Sequence, residues 1–369
     1  MSAQYYLGIM SGTSMDAIDC VITEFDTTNF KLIAHSSFSY PEKIRDRINQ
    51  IYQNNYSISL NDLGYLDYTL GAVYAECVNK LLALHKLDKA QIKAIGCHGQ
   101  TVYHHPEGEI KFSIQLGSGN VLSAQTGLPV INDFRNKDMI LGGQGAPLVP
   151  LFHQAFFAHE TIPRVILNLG GIANISCLHP HKPLIGFDTG PANTLIDQWI
   201  KKHKHQPFDD NGSWGRDGVI QTAVLDNMLA DPYFAKEAPK STGLEYFNLR
   251  WLNQFLSGDE KPQDIQATLH ALTTQSIAQQ LVKAQPDTKE IYICGGGARN
   301  HFLLELLKTL LPDIAIKPIK HLGIDEEWIE AMAFAWFAYC HINRIKIPFS
   351  MTTGSREDSV AGTCHFLTQ

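Results

Sequence analysis

The chain contains no G-x-x-x-x-G-K-[ST] phosphate loop and no G-x-G-x-x-G dinucleotide fingerprint, so any nucleotide phosphates must be held by other glycine turns. It has no run of 18 apolar residues, which excludes a membrane-spanning helix, and Met1-Ser2-Ala3-Gln4 has no basic region ahead of an apolar core. A soluble, cytoplasmic protein is the expectation. Basic charge is in deficit, with 30 Lys and Arg against 37 Asp and Glu and a formal net charge of −7, so a nucleic-acid partner is not expected. The one basic cluster, Lys201-Lys202-His203-Lys204-His205, suits the end of a helix, where it complements the dipole. The seven cysteines, Cys20, Cys77, Cys97, Cys177, Cys294, Cys340 and Cys364, show neither zinc-site nor redox-pair spacing. They read as small buried hydrophobes in a reducing compartment.

At 369 residues with 44% hydrophobic content, the chain is long enough for two cores. Tyr5–Met10, Ile18–Phe25 and Lys31–Phe38 read as three strands of an antiparallel meander. Leu63, Leu66, Leu70, Val73, Cys77, Leu81 and Leu84 form the apolar stripe of a helix from Leu60 to Leu87. Short buried strands are predicted at Ile92–Cys97 and Pro129–Asn132, and the Gly/Pro-rich stretch Leu141–Pro147 marks the neighbourhood of a domain crossing. The domains are placed at 1–133 and 134–369, with the segment after Lys346 able to pack back on the first. Arg164–Leu169, Gly170-Gly171 and Ile172–Leu178 then repeat the opening strand, glycine turn and strand, a weak internal duplication. A strand at Leu184–Phe187, helices from Pro191 to His203 and from Ile265 to Ala284, a strand at Ile291–Cys294, a helix at His301–Leu311 and a last helix from Asp325 to Arg344 complete the pattern. The order implies two α/β domains facing each other over a cleft.

Three glycine turns at strand ends are candidate phosphate sites: Gly8 to Asp19 around Gly12, Gly170-Gly171, and Gly295-Gly296-Gly297. In the first, Gly8 and Gly12 expose backbone N–H groups, Ser11, Thr13 and Ser14 add hydroxyl donors, and Asp16 is a candidate ligand for Mg²⁺. Each is equally readable as a structural turn in which glycine only supplies a positive φ.

Asp188 in Gly186-Phe187-Asp188-Thr189-Gly190-Pro191 is the leading catalytic candidate, at the end of a buried strand with Pro191 in the first turn of the next helix. The alternative makes Asp188 or Thr189 a helix cap. His98, Gln100 and Thr101 on one loop, with Asn132, Asp133 and Arg135 on another, supply neutral hydrogen-bonding groups and one guanidinium, which suits a sugar bearing a carboxylate. Arg135 could equally serve as partner to Asp133 or Asp138. Glu330, among Ala331, Ala333, Phe334 and Ala335, is an acid set against a packed surface or a cleft.

Together these motifs, with Asn168-Leu169-Gly170-Gly171-Ile172-Ala173-Asn174, Phe187 to Asn193, Gly295 to Asn300 and Glu330 to Ala335, resemble the anhydro-N-acetylmuramic acid kinases over nearly the whole chain. The resemblance implies the fold of the sugar kinase, actin and heat-shock chaperone group, a two-domain ribonuclease H-like α/β fold with an interdomain ATP cleft. It implies ATP and Mg²⁺, an anhydro amino sugar from cell-wall turnover as acceptor, and a homodimer. Asp188 aligns with the catalytic base. Gly12, Thr13, Ser14, Met15, Asp16, Ala17, Ile18 and Asp19 carry over as the ATP phosphate loop. Asn168, Gly170, Gly171, Gly295, Gly296, Gly297 and Asn300 are the other nucleotide candidates, and His98, Gln100, Thr101, Asp133, Arg135 and Glu330 the sugar candidates. Ala17 and Ala192 stand where many relatives are expected to have glycine. Two other readings use the same residues: an amino-sugar kinase acting on a free hydroxyl, and a nucleotide-gated binding protein, which would bind ATP whether or not the sugar is present.

Overall fold

The computed structural model describes residues 4–12, 15–53 and 56–366. Its first three strands, β1 (Tyr5–Met10), β2 (Ala17–Phe25) and β3 (Phe30–Ser39), pair as an antiparallel meander. Strand β4 (Ile92–Cys97) then lies parallel to β1. β5 (Gln100–His105) and β6 (Phe112–Leu116) form a separate hairpin, and β7 (Val130–Asn132) adds to the main sheet parallel to β4.

Period-two alternation decides what each face of this sheet meets. Leu7 and Ile9 of β1, with Ile18, Cys20 and Ile22 of β2, join one core with Leu66, Leu70, Cys77 and Leu81 of the helix Leu60–Leu84. That helix starts at Ser59, whose side chain accepts from the Asp62 N–H. The intervening residues, Tyr6 and Gly8, turn to the helix Ile329–Ile342, with Tyr6 edge-on to Tyr339 at 5.3 Å. Glycine is required at that contact. A Cβ on Gly8 would run into the carbonyl oxygen of Ala331, and one on Gly96 of β4 into that of Phe334. Gly8 thus serves helix-to-sheet packing inside β1, and the expectation that it presents an N–H to phosphate is corrected.

The second sheet is built the same way. β8 (Arg164–Leu169), β9 (Ile172–Leu178) and β10 (Ile185–Pro191) form an antiparallel meander, then β11 (Glu290–Cys294) and β12 (Ala315–Pro318) are added in parallel. The first sheet runs β3-β2-β1-β4-β7 and the second β10-β9-β8-β11-β12. Each reads third, second, first, fourth, fifth, so the repeated strand, glycine turn and strand marks a duplicated ribonuclease H-like topology. The last strand, β13 (Thr363–His365), pairs antiparallel with β7 and extends the first sheet.

The described residues of 1–156 and 327–369 form one compact unit and 157–326 a second. The chain passes from one to the other after Phe156 rather than after Asp133, and its end returns to the first unit. The stretch Leu141–Pro147 folds within that unit, around a buried carboxylate. Asp138 accepts from the Gly145 N–H at 2.7 Å and the Thr353 hydroxyl at 2.6 Å, while the Gln144 N–H donates to the Thr353 carbonyl at 3.0 Å. The glycines and the proline serve this tight wrap rather than a linker.

Two helix starts differ from the sequence reading. Pro191 closes the edge strand β10, where its missing N–H costs nothing, and the helix runs Asn193–Lys204 from an Ala192 cap. Glu326–Trp328 form a separate 3₁₀ turn, so the last helix begins at Ile329 with Glu330 as the acid in its first turn.

Candidate active site

The turn joining β1 to β2 closes with Met15 at φ 53° and its N–H on the Gly12 carbonyl at 3.1 Å. Thr13 and Ser14, two of the expected phosphate contacts, lie outside the described residues. The Met15 and Ile18 side chains are buried in the first core, so these residues offer a ligand only their backbone. Asp16 is exposed. Asp19, on β2, accepts from the Ser37 hydroxyl at 2.7 Å, and burial raises its carboxyl above the usual carboxylate range.

Gln100 is fully buried and faces this turn rather than open space. Its Nε2 donates to the Gly12 carbonyl at 3.2 Å and to the Tyr52 hydroxyl at 3.0 Å, and the Tyr52 hydroxyl donates to the Thr101 carbonyl at 2.6 Å. Gln100 therefore ties the glycine turn to the start of β5 through its Nε2, while its Oε1 has no hydrogen bond among the described residues. Thr101 Oγ1 accepts from Gln115 Nε2 at 3.3 Å.

His98 and Asp133 come together on one cavity of about 260 Å³, lined also by Gly99, Ser113, Gln115, Asn132 and Asn136. Asp133 sits at φ 54°, and Asn136 donates to its carboxylate at 2.7 Å while bonding both backbone groups of Ser113. Arg135 donates to His98 Nε2 from Nε at 3.2 Å and from Nη2 at 2.8 Å, and to the Gly145 carbonyl from Nη1 at 2.6 Å. A guanidinium has no acceptor, so His98 Nε2 must be unprotonated and the proton of the neutral ring sits on Nδ1. Burial, then the neighbouring guanidinium, hold His98 well below its ordinary pKa of 6.5. Arg135 is brought down to about 10, chiefly by burial, with Glu330 and Asp138 opposing. Glu330 keeps an open surface yet is crowded enough for desolvation to raise its carboxyl. Arg135 acts to lower it and Asp19 to raise it further.

In the second unit, Asp188 lies inside β10 opposite Asn174, immediately before a bulge that leaves Thr189 unpaired and resumes at Gly190. Bulges re-aim side chains, and this one turns Thr189 inward to donate to the Ala173 carbonyl at 3.2 Å. Neither residue caps the following helix, whose N-cap is Ala192, so the capping alternative is excluded. Asp188 Oδ2 accepts from the Thr242 N–H at 3.0 Å, and Oδ1 has no hydrogen bond among the described residues. Desolvation raises the carboxyl to about 6 against the pull of the Thr242 N–H, with the charge of Glu245 adding to the rise.

The two glycine turns of this unit meet. The Asn193 side chain donates to the Leu169 and Gly170 carbonyls at 2.9 Å each, and the Thr194 N–H donates to the Gly171 carbonyl at 3.1 Å. Gly295 has φ +81°, and a Cβ there would run into Asn168 Oδ1. Bare backbone from both turns is thereby gathered beyond the ends of β8 and β11, where α/β sheets place ligands. Asn300 has another occupation: its Oδ1 caps the helix His301–Leu310 through the Leu303 N–H, and its Nδ2 meets His270 Nε2 at 3.0 Å.

Ser113, Gln115 and Asn136 lining the cavity, and Tyr233, Lys240 and Thr242 around Asp188, went unread in the sequence. Asn136 directly follows Asp133-Phe134-Arg135 and was within reach of that motif. The segment from Tyr233 to Thr242 has neither periodicity nor a motif, and its one signal is the lone lysine of Ala238-Pro239-Lys240-Ser241-Thr242.

A family model described as anhydro-N-acetylmuramic acid kinase matches residues 4–366. Proteins named anhydro-N-acetylmuramic acid kinase from Haemophilus influenzae and Shewanella amazonensis are 44% and 45% identical to the chain. The first match covers 96% of each sequence and the second 98% of each. Among solved structures, the activator of the 2-hydroxyisocaproyl-CoA dehydratase from Clostridium difficile superposes with a TM-score of 0.45 at 14% identity, covering 91% of this chain and 94% of the other. The ROK hexokinase from Thermus thermophilus does so with a TM-score of 0.42 at 14% identity, covering 91% and 99%.

Proposed function

The chain belongs to the anhydro-N-acetylmuramic acid kinase family, and from that premise we propose that Asp188 is the general base of its reaction. The enzyme is an ATP-dependent sugar kinase of cell-wall recycling. It hydrolyses the 1,6-anhydro ring of 1,6-anhydro-N-acetylmuramic acid and phosphorylates the 6-oxygen, giving N-acetylmuramic acid 6-phosphate.

In this reading Asp188 Oδ1 takes the proton of the water that attacks the anomeric carbon, on the face opposite the breaking bond, as an inverting glycosidase base does. The electron pair of that bond passes to the 6-oxygen, which attacks the γ-phosphorus of ATP, and ADP leaves. No alkoxide is released, because phosphorus captures the oxygen as it departs. The observation that carries the reading is a carboxylate with one oxygen fixed by the Thr242 N–H, the other uncommitted, and a pKa of about 6. A base tuned there is ionised at neutral pH yet basic enough to accept a proton.

Arg135, held by His98 and the Gly145 carbonyl, keeps guanidinium donors for the sugar's carboxylate. Asp133, Thr101 and Glu330 supply the remaining sugar contacts, and the cavity beside His98 admits part of the sugar. Candidate backbone donors for the phosphates of ATP are the Gly12 turn in the first unit and, in the second, the Gly170-Gly171 and Gly295–Gly297 turns. The carboxylates beyond Gly12 fit Mg²⁺, which asks for hard oxygen donors and shares them with phosphate. Asp16, exposed at the turn, would hold it with Asp19 behind, and the ion when bound neutralises phosphate charge. No described helix is long and apolar enough to cross a membrane. A cytoplasmic homodimer is the setting proposed, with the dimer to be checked by light scattering.

The reading is tested by turnover in ¹⁸O-labelled water, quenched early, with Asp188→Asn alongside. The expected product carries one solvent oxygen and is absent with the variant. Product without solvent oxygen, or an Asp188→Asn enzyme of undiminished rate, would sink it.

A further inference from the structure

We propose that Lys240 is a positioning residue for Asp188, its buried ammonium fastening the Tyr233–Thr242 segment that grips Asp188 at three points. The inference rests on Asp188 being the base.

Strand β10 is an edge strand, and at Asp188 its outward backbone groups need partners. That segment supplies them. The Asp188 N–H donates to the Lys240 carbonyl at 3.0 Å, the Tyr233 hydroxyl donates to the Asp188 carbonyl at 2.7 Å, and the Thr242 N–H donates to Oδ2 at 3.0 Å. Backbone and carboxylate are thus held by residues from the two ends of one stretch, which starts in the helical turn Pro232–Ala235.

Lys240 joins those ends. Its side chain turns back so that Nζ donates to the Tyr233 carbonyl at 3.1 Å and reaches the Phe234 carbonyl at 3.5 Å, 4.7 Å from the centre of the Tyr233 ring. Gln280 donates to the Phe234 carbonyl at 2.7 Å and fixes the far end to the helix Pro262–Ala284. Lys240 is only 7% exposed, and no carboxylate pairs with it among the described residues. An ammonium buried without a counter-ion is costly, and a surface lysine would serve solubility as well. What the position gains is a strong donor that reaches two carbonyls at once and, through its own backbone oxygen, the N–H of Asp188. Burial brings Lys240 down to about 8, with Lys283 and Lys236 acting in the same sense and Glu237 against.

The consequence for Asp188 has a definite sign. The Thr242 N–H lowers its pKa, while Glu245 raises it and Tyr233 stands beside it as a neutral phenol. Loosening the segment withdraws the lowering contact.

The test compares kcat, KM and the pH dependence of kcat/KM for the wild type, Lys240→Met, Lys240→Arg and Asp188→Asn. For Lys240→Met, kcat should fall roughly 10- to 100-fold, as for a misplaced catalytic group, with KM for sugar and ATP within about twofold. The acid limb should move to higher pH, and Lys240→Arg, which keeps charge and donors, should return it toward the wild-type position. An unchanged acid limb in Lys240→Met overturns the proposal whatever the rate, because a merely structural lysine would lower active enzyme without moving it. If Lys240→Met does not fold, Lys240→Gln, which keeps an amide donor without the charge, is read by the same criterion. An active Asp188→Asn enzyme removes the base itself. An inactive one beside a Lys240 variant with a wild-type limb removes only the role of Lys240.

Discussion

Arg135 donates to His98 Nε2 from two of its nitrogens, at 3.2 and 2.8 Å, so a cation leans on a histidine that must stay neutral. His98→Leu removes the acceptor and frees the guanidinium. KM for the sugar should rise about tenfold, the worth of one charge-assisted hydrogen bond, with KM for ATP little changed. His98→Gln, which can present an oxygen, should recover part of the loss. Stability carries the same signature. The unfolded imidazole takes a proton near its ordinary pKa of 6.5 and the folded one refuses it, so the stabilisation is whole above about pH 6.5 and is lost on acidification through that value. Urea unfolding between pH 7 and 5 should show a slope of up to about 1.4 kcal/mol per pH unit from this group, absent in His98→Leu.

Asp188 should set the acid limb of the rate profile near its pKa of about 6, and Glu245→Gln should move that limb down by removing a like charge. Initial-rate profiles of kcat/KM check both. Because the folded pKa is raised above the usual carboxylate value, the ionised group costs stability above about pH 6, and the cost disappears as the pH falls. Asp188→Asn should therefore be inactive yet more stable at pH 8, by about 1 to 2 kcal/mol after allowance for partial exposure, with little difference at pH 4.

Gln100→Leu cuts both bonds from Nε2, to the Gly12 carbonyl and the Tyr52 hydroxyl. Since Gln100 Oε1 has no partner among the described residues, the loss in stability should be only about 1 kcal/mol. The Gly12 turn loses its tether to β5, so KM for ATP should rise several-fold more than KM for the sugar. Equal increases in both would show that the tether does not act on the phosphate turn.

Gly8→Ala and Gly96→Ala each place a methyl group where the helix Ile329–Ile342 presents a carbonyl. Backbone cannot yield as a side-chain tip can, so each should cost about 3 kcal/mol or more in urea unfolding. Gly64→Ala, in a helix with open space around it, should be neutral or stabilising.

Strand-forming runs and glycine turns made both meanders legible, because period-two burial and positive φ are written in residue type. Compact motifs drew attention to Asp188 and to His98 with Arg135, which the structure shows as a carboxylate held by the Thr242 N–H and as a hydrogen-bonded pair. Motif reading could not show what lies across from a residue. Gly8 packs beneath a helix more than 300 residues away in the chain, Asn300 meets His270, and Gln100 meets the Gly12 carbonyl. Lys240 and Thr242 carry no pattern at all, since an irregular segment that wraps an edge strand obeys no period.

The helix Ile329–Ile342 covers the glycine face of the first sheet, although the intervening chain builds the whole of the second unit. On the ribosome the order of completion is therefore inverted. Residues 157–326 are contiguous and can close their core as they emerge, while the strands made first wait with an apolar face uncovered until the last helix arrives. A chain stalled before Ile329 would hold a second unit able to close and a first sheet whose glycine face is still open to wrong contacts.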